Sequence, residues 1–236
     1  MILESLSDIE LYFTRNINYD EQKFFLINDE FHHAVKVMRS KEKDFIFATD
    51  GKGKIFKGIT LKIENKTLTA SIVDVSNYQN KFEKIIFWIP NLKNPERLKF
   101  AVEKCTELGI TNLKVYNSDR TINKPFNLGR LNSIAIAAMK QSLRAFAPSI
   151  EYVPSLKSFK FEYGIKILFD QHAESELIEF SFQSDKEYHF IFGPEGSFTD
   201  FEESKINPDA NFNLGKYRLR SETAILKAAS IISKNV

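Results

Sequence analysis

One stretch near the carboxyl end of the 236-residue chain decides the fold: residues 189–199 read HFIFGPEGSFT. A short apolar run breaks there into a glycine-bearing turn, and Thr199-Asp200-Phe201-Glu202, which matches a helix capping box, follows. A second such transition occurs at residues 212–224, which read FNLGKYRLRSETA. In α/β proteins, turns of this kind lie at the carboxyl ends of strands and ahead of helix N-termini, where ligands bind. The two turns therefore predict a single pocket built from both.

The chain upstream of these turns also alternates between apolar runs and amphipathic segments. Residues 85–89 are continuously apolar, which is typical of a strand buried on both faces. Asn94 and Pro95 predict the start of a helix that Gly109 ends. The alternation continues with a strand at 113–116, a helix at 128–145, and strands at 165–169 and 188–192. This order predicts a parallel α/β sheet with right-handed crossovers.

Residues 1–78 follow a different pattern and are predicted to be mostly β. Short apolar runs are separated by turn residues, and a single helix is expected from Asp29 to Arg39. The runs lie at 45–48, 55–56, 59–63 and 68–73, with hairpin turns at Asp50-Gly51 and 64–66. Many short strands with one helix predict a small barrel. Since a polar stretch follows at 76–81, we expect two domains, 1–78 and 82–236.

Several classes of site are disfavoured by what the sequence lacks. Cys105 is the only cysteine, which excludes a disulfide framework or a thiolate metal cluster within the chain, and no H-E-x-x-H spacing is present. Gly51-Lys52-Gly53-Lys54 lacks the spacing of a phosphate loop and is predicted to be a hairpin turn. Neither a membrane-length apolar run nor a signal pattern is present, so we expect a soluble, cytoplasmic protein without a metal.

The remaining candidates for a chemical role are polar side chains at the point where the second turn enters the last helix. They are Arg220, Ser221, Glu222 and Thr223. Helix capping by Ser221 and a favourable helix dipole for Glu222 are sufficient structural explanations, so the residues alone leave a catalytic role open. Basic residues recur between positions 97 and 144. They predict a phosphate-facing surface and a solvated helix face equally well.

Seen together, the motifs resemble the RsmE family of small-subunit ribosomal RNA methyltransferases, within the SPOUT superfamily, over nearly the whole chain. The family's opening signature is similar to residues 33–39 and Asp50-Gly51, and its first SPOUT helix to residues 97–109. The remaining motifs are similar to Arg120, to Gln141-Ser142-x-Arg144-x-x-x-Pro148, to Gly193-Pro194-Glu195-Gly196, and to Leu214-Gly215-x-x-x-Leu219-Arg220-Ser221-Glu222-Thr223-Ala224.

This resemblance implies a small PUA-like or OB-like β-barrel, which binds RNA, followed by an α/β SPOUT methyltransferase domain with a C-terminal trefoil knot. It implies S-adenosylmethionine as the cofactor and 16S rRNA or the small ribosomal subunit as the partner. The family reaction is methylation at N3 of one uridine, performed by a homodimer whose active site draws residues from both subunits.

The resemblance also implies which residues form the site. The expected catalytic residues are Arg220, Glu222, Arg120 and Arg144. The expected cofactor-binding residues are Phe169, Phe192, Gly193, Pro194, Glu195, Gly196, Leu214, Gly215, Leu219, Ser221, Thr223 and Ala224. The expected RNA contacts are Arg39, Arg97, Lys104, Gln141 and Arg218. No metal is expected, because transfer of a sulfonium methyl group needs positioning rather than a metal.

At some positions the chain departs from the family pattern. Lys43 and Ser197 stand where the family commonly has glycine, and Lys140 stands where it usually has an acidic residue. Lys216-Tyr217-Arg218 replaces the more usual proline-arginine-apolar run. Two alternatives therefore stay open: a SPOUT methyltransferase acting on another RNA such as tRNA, and a non-catalytic RNA-binding ribosome-assembly protein.

Overall fold

The computed structural model describes residues 9–120, 127–156 and 159–235. They form two compact units. The first contains the described residues up to Asn80 together with Met139–Ala147, and the second contains the described residues of Lys81–Ala138 and those from Pro148 onward. The second range predicted from the sequence, 82–236, therefore includes a nine-residue segment that the structure groups with the first unit.

The N-terminal unit is built on one six-stranded sheet in the order β1-β4-β5-β6-β3-β2. Its strands are β1 (Leu11–Phe13), β2 (Ile17–Asn18), β3 (Lys23–Ile27), β4 (Phe45–Thr49), β5 (Lys54–Glu64) and β6 (Thr67–Asn77). The β5–β6 hairpin turns at Asn65 and Lys66, which both have positive φ and so supply the twist that tight hairpins need. Phe24, Phe56 and Leu68 lie at the centre of the core and are fully buried.

The helix predicted from Asp29 to Arg39 is shorter and less regular than expected. Helix α1 spans only Asn28–His32 and continues into a π-helical turn, His33–Val37. Arg39 is already in the left-handed region at φ 58°. Because a residue in that region cannot continue a right-handed helix, the helical pattern ends before Arg39.

The C-terminal unit contains the predicted parallel α/β sheet, in the order β12-β10-β11-β7-β8-β9. Its strands are β7 (Ile85–Pro90), β8 (Asn112–Tyr116), β9 (Ser149–Val153), β10 (Ile165–Phe169), β11 (Tyr188–Ile191) and β12 (Ala210–Phe212). Its helices are α2 (Pro95–Glu107), α3 (Leu128–Gln141, whose last three residues are grouped with the first unit), α4 (Asp200–Ile206) and α5 (Ser221–Asn235). All six residues of β7 are buried, as its continuous apolar run predicts.

Helix α2 confirms the local signals from which it was predicted. The side chain of Asn94 caps it by accepting a hydrogen bond from the backbone N–H of Glu96, and Pro95 occupies the first turn. Gly109, at φ 99°, ends the chain's helical path. Cys105 is fully buried on the apolar stripe, and burial raises the pKa of its thiol, as befits a core residue.

Helix α3 ends at Gln141, four residues before the predicted end at 145. Leu143, at φ 55°, turns the chain out of the helix. Residues 145–147 then run beside the β4–β5 turn, where the backbone N–H groups of Gly53 and Ala147 donate to the carbonyl oxygens of Ala145 and Gly51. Tertiary contacts within the N-terminal unit thus replace the last helical turn.

In the part of the chain described, no helix combines the length and the apolar character that crossing a membrane demands. Three or more His, Cys, Asp or Glu side chains do not come together as metal ligands anywhere in those same residues.

Candidate functional site

A cleft of about 880 Å³ lies in the C-terminal unit, at the carboxyl ends of β10 and β11. Both glycine-bearing turns line it, at Gly193 and Gly215. Parallel strands leave their carboxyl ends at one edge of the sheet, and the loops that follow them form the binding crevice there. The single pocket predicted from the two turns corresponds to this cleft.

The first turn leaves β11 and leads directly into α4. The side chain of Thr199 accepts a hydrogen bond from the backbone N–H of Glu202, while the Glu202 carboxylate accepts one from the backbone N–H of Thr199. This reciprocal pair is the predicted capping box. Ser197 has φ 61°, a left-handed conformation that explains why glycine is common at this position in the family.

Packing within the chain does not require a glycine at position 193. Its φ is not positive, and a Cβ atom there would lie 3.5 Å from the Phe198 ring, which is ordinary van der Waals contact. Both residues line the cleft. The missing side chain therefore leaves room for a molecule in the cleft to approach the backbone.

The second turn begins after β12 and is stabilised by its own polar groups. The backbone N–H of Gly215 donates to Asn213 Oδ1 at 2.9 Å, and Gly215 has φ 118°. Ser221 is the first residue of α5, and its hydroxyl donates to the carbonyl oxygen of Gly193 at 3.4 Å. Ser221 thus links the two turns, a role that differs from the N-cap considered from the sequence.

Two carboxylates and one guanidinium lie together in the cleft. Arg97 Nε is 3.4 Å from Glu222 Oε1, and Arg97 Nη1 is 3.7 Å from Glu195 Oε1. The Glu222 side chain is only 14% exposed. Its second oxygen, Oε2, is buried without a hydrogen-bond partner among the described residues. Because a buried carboxylate oxygen without a partner is costly, this atom is suited to receive a ligand's donor.

Arg120 lies at the turn itself rather than in the lining of the cleft. Its Nη1 donates to the carbonyl oxygen of Gly196 at 3.0 Å. A Cβ atom on Gly196 would approach the Arg120 Cβ to 3.2 Å, so Gly196 makes room for this arginine.

The structure brings most of the predicted cofactor residues together. Ten of the twelve line the cleft: Phe169, Phe192, Gly193, Pro194, Glu195, Leu214, Gly215, Leu219, Ser221 and Ala224. Gly196 and Thr223 are not in the lining. Arg220 and Glu222, of the four predicted catalytic residues, line it as well.

The residues predicted to contact RNA are spread more widely. Arg97 and Arg218 line the cleft. Lys104 bonds to Glu103 and Glu107 on its own helix, and these hydrogen bonds raise the pKa of its ammonium group. Arg39 and Gln141 belong to the N-terminal unit. Arg144, one of the four predicted catalytic residues, also belongs to that unit and is not in the lining of the cleft; burial lowers the pKa of its guanidinium. Lys140, in that unit too, stands where the family usually has an acidic residue. Its ammonium group forms an ion pair with Glu30 at 2.6 Å, which neutralises the positive charge within the unit.

Some residues at the cleft were not predicted from the sequence. They are Leu168, Asp170, Gln171, His172, Ser197, Phe198, Glu203, Pro208, Asn211, Phe212 and Tyr217. Asp170 directly follows β10, so the rule that ligands bind beyond strand carboxyl ends was a usable signal for it. Asn211 and Phe212 lie on β12, a three-residue strand that is too short for its periodicity to be recognised.

Two family models match the chain. Residues 79–233 match a model described as an RNA methyltransferase domain, which is well over half of the chain. Residues 26–73 match a model described as an RNA methyltransferase PUA domain.

Individual proteins are similar over almost the whole length. The ribosomal RNA small subunit methyltransferase E of Bacillus subtilis is 25% identical over 228 residues, which cover 89% of each protein. A crystal structure of a ribosomal RNA small subunit methyltransferase E from Neisseria gonorrhoeae, bound to S-adenosyl methionine, has a TM-score of 0.80 at 25% identity, covering 96% of this chain and 97% of that one. A crystal structure of a probable rRNA-methyltransferase from Porphyromonas gingivalis has a TM-score of 0.78 at 26% identity, covering 96% and 98%.

Proposed function

The chain belongs to the RNA methyltransferase family, and we propose that it transfers the methyl group of S-adenosylmethionine to N3 of one uridine in 16S ribosomal RNA. The resemblance to ribosomal RNA small subunit methyltransferases stated from the sequence is confirmed. The observation that carries the proposal is the cleft, in which two glycine-bearing turns, an arginine and a buried glutamate oxygen meet.

The residues of the cleft fit S-adenosylmethionine. Apolar side chains at Phe169, Leu214 and Leu219 suit the adenine ring. The open position at Gly193 lets a ligand reach backbone groups of the turn. Carboxylates at Glu195 and Glu222 suit the positive charges of the cofactor. When bound, the cofactor supplies a methyl group on a sulfonium sulfur, which keeps the electron pair of the broken bond.

The uridine must lose its N3 proton so that the nitrogen lone pair can attack the methyl carbon. Glu222 is suited to take this proton, because Arg97 engages Oε1 and leaves the buried Oε2 unpartnered within the described chain. Arg220, which lines the same cleft, is placed to stabilise negative charge on the uracil oxygens. Arg120, bonded to the Gly196 carbonyl, is assigned the same role from the neighbouring turn.

The finer features of the fold belong to the same proposal. We propose that the last part of the chain forms a trefoil knot. Three observations support this proposal. Strand β12 lies at the sheet edge and pairs with β10, yet the chain then passes back to the end of β11, where Ser221 bonds to the Gly193 carbonyl. Helix α5 then packs against α2. We propose further that the N-terminal unit is a PUA-like barrel that binds RNA, with Arg39 and Gln141 among its contacts. A homodimer acting on the small ribosomal subunit in the cytoplasm completes the proposal.

Titration of S-adenosylmethionine into the purified protein, followed by incubation with 16S rRNA and with small subunits, tests this function. We expect saturable binding in the calorimeter and N3-methyluridine at one position by mass spectrometry of the digested RNA. Arg220→Ala and Glu222→Gln are each expected to reduce turnover at least ~100-fold with folding retained. The first removes stabilisation of negative charge on the uracil, and the second removes the proton acceptor. Methylation of tRNA alone would favour the other-RNA alternative. A folded protein that binds rRNA but not the cofactor would favour the non-catalytic alternative.

A further inference from the structure

Glu202 does more than a capping box requires. It is the third residue of α4 and only 1% exposed. Its carboxylate accepts two hydrogen bonds from Thr199, from the backbone N–H at 3.0 Å and the hydroxyl at 3.1 Å. It also accepts bonds from the Ser118 hydroxyl at 3.2 Å and the Asp119 backbone N–H at 2.9 Å. The last two come from the segment that follows β8, far away in sequence.

A buried carboxylate with four donors is a firm junction between two segments. Hydrogen bonds to a charged acceptor contribute more than those between neutral groups, since their cost when broken includes an unpaired buried charge. The start of α4 and the end of β8 are therefore connected through this one side chain. A cap that served only its own helix would need Thr199 and not residues 118–119.

The junction leads directly to a residue of the proposed active site. Asp119 is the neighbour of Arg120 in the chain, and Arg120 Nη1 donates to the carbonyl oxygen of Gly196. Gly196 in turn lies three residues before Thr199, at the other side of the junction. The contacts form a closed ring from Glu202 through Asp119, Arg120, Gly196 and Thr199.

We infer that Glu202 is a positioning residue, which holds Arg120 against the Gly193–Gly196 turn by clamping the backbone beside it. The exposed arginine side chain has large conformational freedom, and catalysis requires its charge at one place. Glu202 holds the backbone of Asp119, and the Gly196 carbonyl accepts a bond from the Arg120 guanidinium. The Arg120 side chain is therefore restrained at both ends. This inference rests on the proposed function, in which Arg120 stabilises charge on the uracil.

A double-mutant cycle with Glu202→Gln and Arg120→Ala tests the coupling. The amide replaces one acceptor oxygen with a donor, so at least one side of the junction loses its bonds. We expect Arg120→Ala to reduce kcat ~100-fold and Glu202→Gln ~10-fold. The double variant is expected to resemble Arg120→Ala alone within ~2-fold, because a positioning residue has no effect once its target is gone. Losses that multiply to ~1,000-fold would overturn the inference.

Two further variants separate positioning from stability. Ser118→Ala removes a bond on the β8 side while the capping box stays intact, and it is expected to lower kcat ~3-fold without changing the affinity for S-adenosylmethionine. Asp200→Asn, on an exposed acid in the first turn of the same helix, is the matched control and is expected to keep full activity. An Asp200→Asn loss equal to that of Glu202→Gln would assign Glu202 to helix stability only.

Amide hydrogen exchange gives a readout that does not depend on activity. Glu202→Ala, which removes both acceptor oxygens, is expected to speed exchange at the Asp119 amide at least ~10-fold, and Arg120→Ala is expected to leave it unchanged. If wild-type protein fails to methylate rRNA while this pattern appears, the proposed function fails and the clamp stands. If wild-type protein is active and Asp119 exchange is unaffected by Glu202→Ala, the clamp is refuted and the function stands.

Discussion

Two turns of this chain each contain two glycines but have opposite environments. Gly51-Lys52-Gly53 lies between β4 and β5 of the N-terminal unit, and Gly193-Pro194-Glu195-Gly196 follows β11 of the C-terminal unit. The first is filled by the chain's own residues, whereas the second lines a cleft. Internal packing requires glycine at positions 51 and 53, whereas glycine at position 193 leaves an opening to the cleft.

The N-terminal turn is closed by residues 145–147. A Cβ on Gly51 would meet the Ala147 Cβ at 2.8 Å, and one on Gly53 would meet the Phe146 ring at 2.7 Å. Both glycines also have positive φ, at 70° and 104°. Steric exclusion and backbone conformation thus require glycine twice over, and no ligand is needed to explain the motif.

The C-terminal turn lacks this internal reason at Gly193. Its backbone is not left-handed, and its nearest neighbour, Phe198, leaves ordinary contact distance for a Cβ. A glycine that internal packing does not require, at the edge of a cleft, leaves room for a ligand to approach the backbone.

The largest effect is expected for Gly53→Val. The side chain would collide with Phe146 and force a β-branched residue to φ 104°, so we expect the free energy of unfolding of the N-terminal unit to fall by about 4 kcal/mol. Urea denaturation followed by circular dichroism measures this change. Affinity for S-adenosylmethionine in the folded fraction should stay within ~2-fold. Lys52→Ala is the control, with a change below ~0.5 kcal/mol. A stable Gly53→Val protein would show that the turn is not tightly packed.

The next largest effect is expected for Gly193→Val, and it falls on cofactor affinity rather than on stability. The new methyl groups would enter the cleft, so we expect the Kd for S-adenosylmethionine to rise at least ~100-fold, or about 2.7 kcal/mol. The free energy of unfolding should change by less than ~1 kcal/mol, because the atom nearest to a Cβ at this position, apart from the chain neighbours, is in the Phe198 ring at 3.5 Å. Calorimetric titration and denaturation measure the two quantities. Unchanged affinity would place the cofactor elsewhere.

The smallest effect is expected for Ser197→Gly, within the C-terminal turn. Ser197 adopts φ 61° where the family commonly has glycine, and a left-handed serine carries roughly 1 kcal/mol of strain. Relief of this strain is partly offset by the greater entropy of an unfolded glycine, so we expect stabilisation of about 0.5 kcal/mol. Lys43→Gly, at φ 75° in the N-terminal unit, is the matched variant. Destabilisation of both by more than ~1 kcal/mol would mean that their side chains make compensating contacts.

Much of the fold was predictable because its signals are local. The buried strand β7, the Asn94 cap and the Gly109 stop are properties of a few adjacent residues. The capping box at Thr199 was predicted for the same reason. By contrast, β1, β2 and β12, which have only two or three residues, carry too little periodicity to be recognised. The five-residue strands β3 and β9 were not predicted either. The end of α3 was wrong because contacts made by residues 145–147 compete with the helix.

The candidate site was predictable where motifs mark it. Gly193, Gly215 and the residues after them were selected from the sequence and line one cleft. The sequence contained no sign that Arg97 bridges two carboxylates, since Glu195 and Glu222 are distant in the chain. Nor did it connect Glu202 with residues 118–119.

The sequence by itself determined most strands and helices of the C-terminal unit, the parallel character of its sheet, the family and the glycine-bearing turns, because apolar periodicity, caps and motifs are properties of neighbouring residues. Only the tertiary structure decided which glycine turn is filled and which is open, and where Arg97, Arg120 and Glu202 make their bonds. Side chains from distant segments meet only after the sheets have formed, so the physical reason for these assignments lies in packing rather than in local sequence.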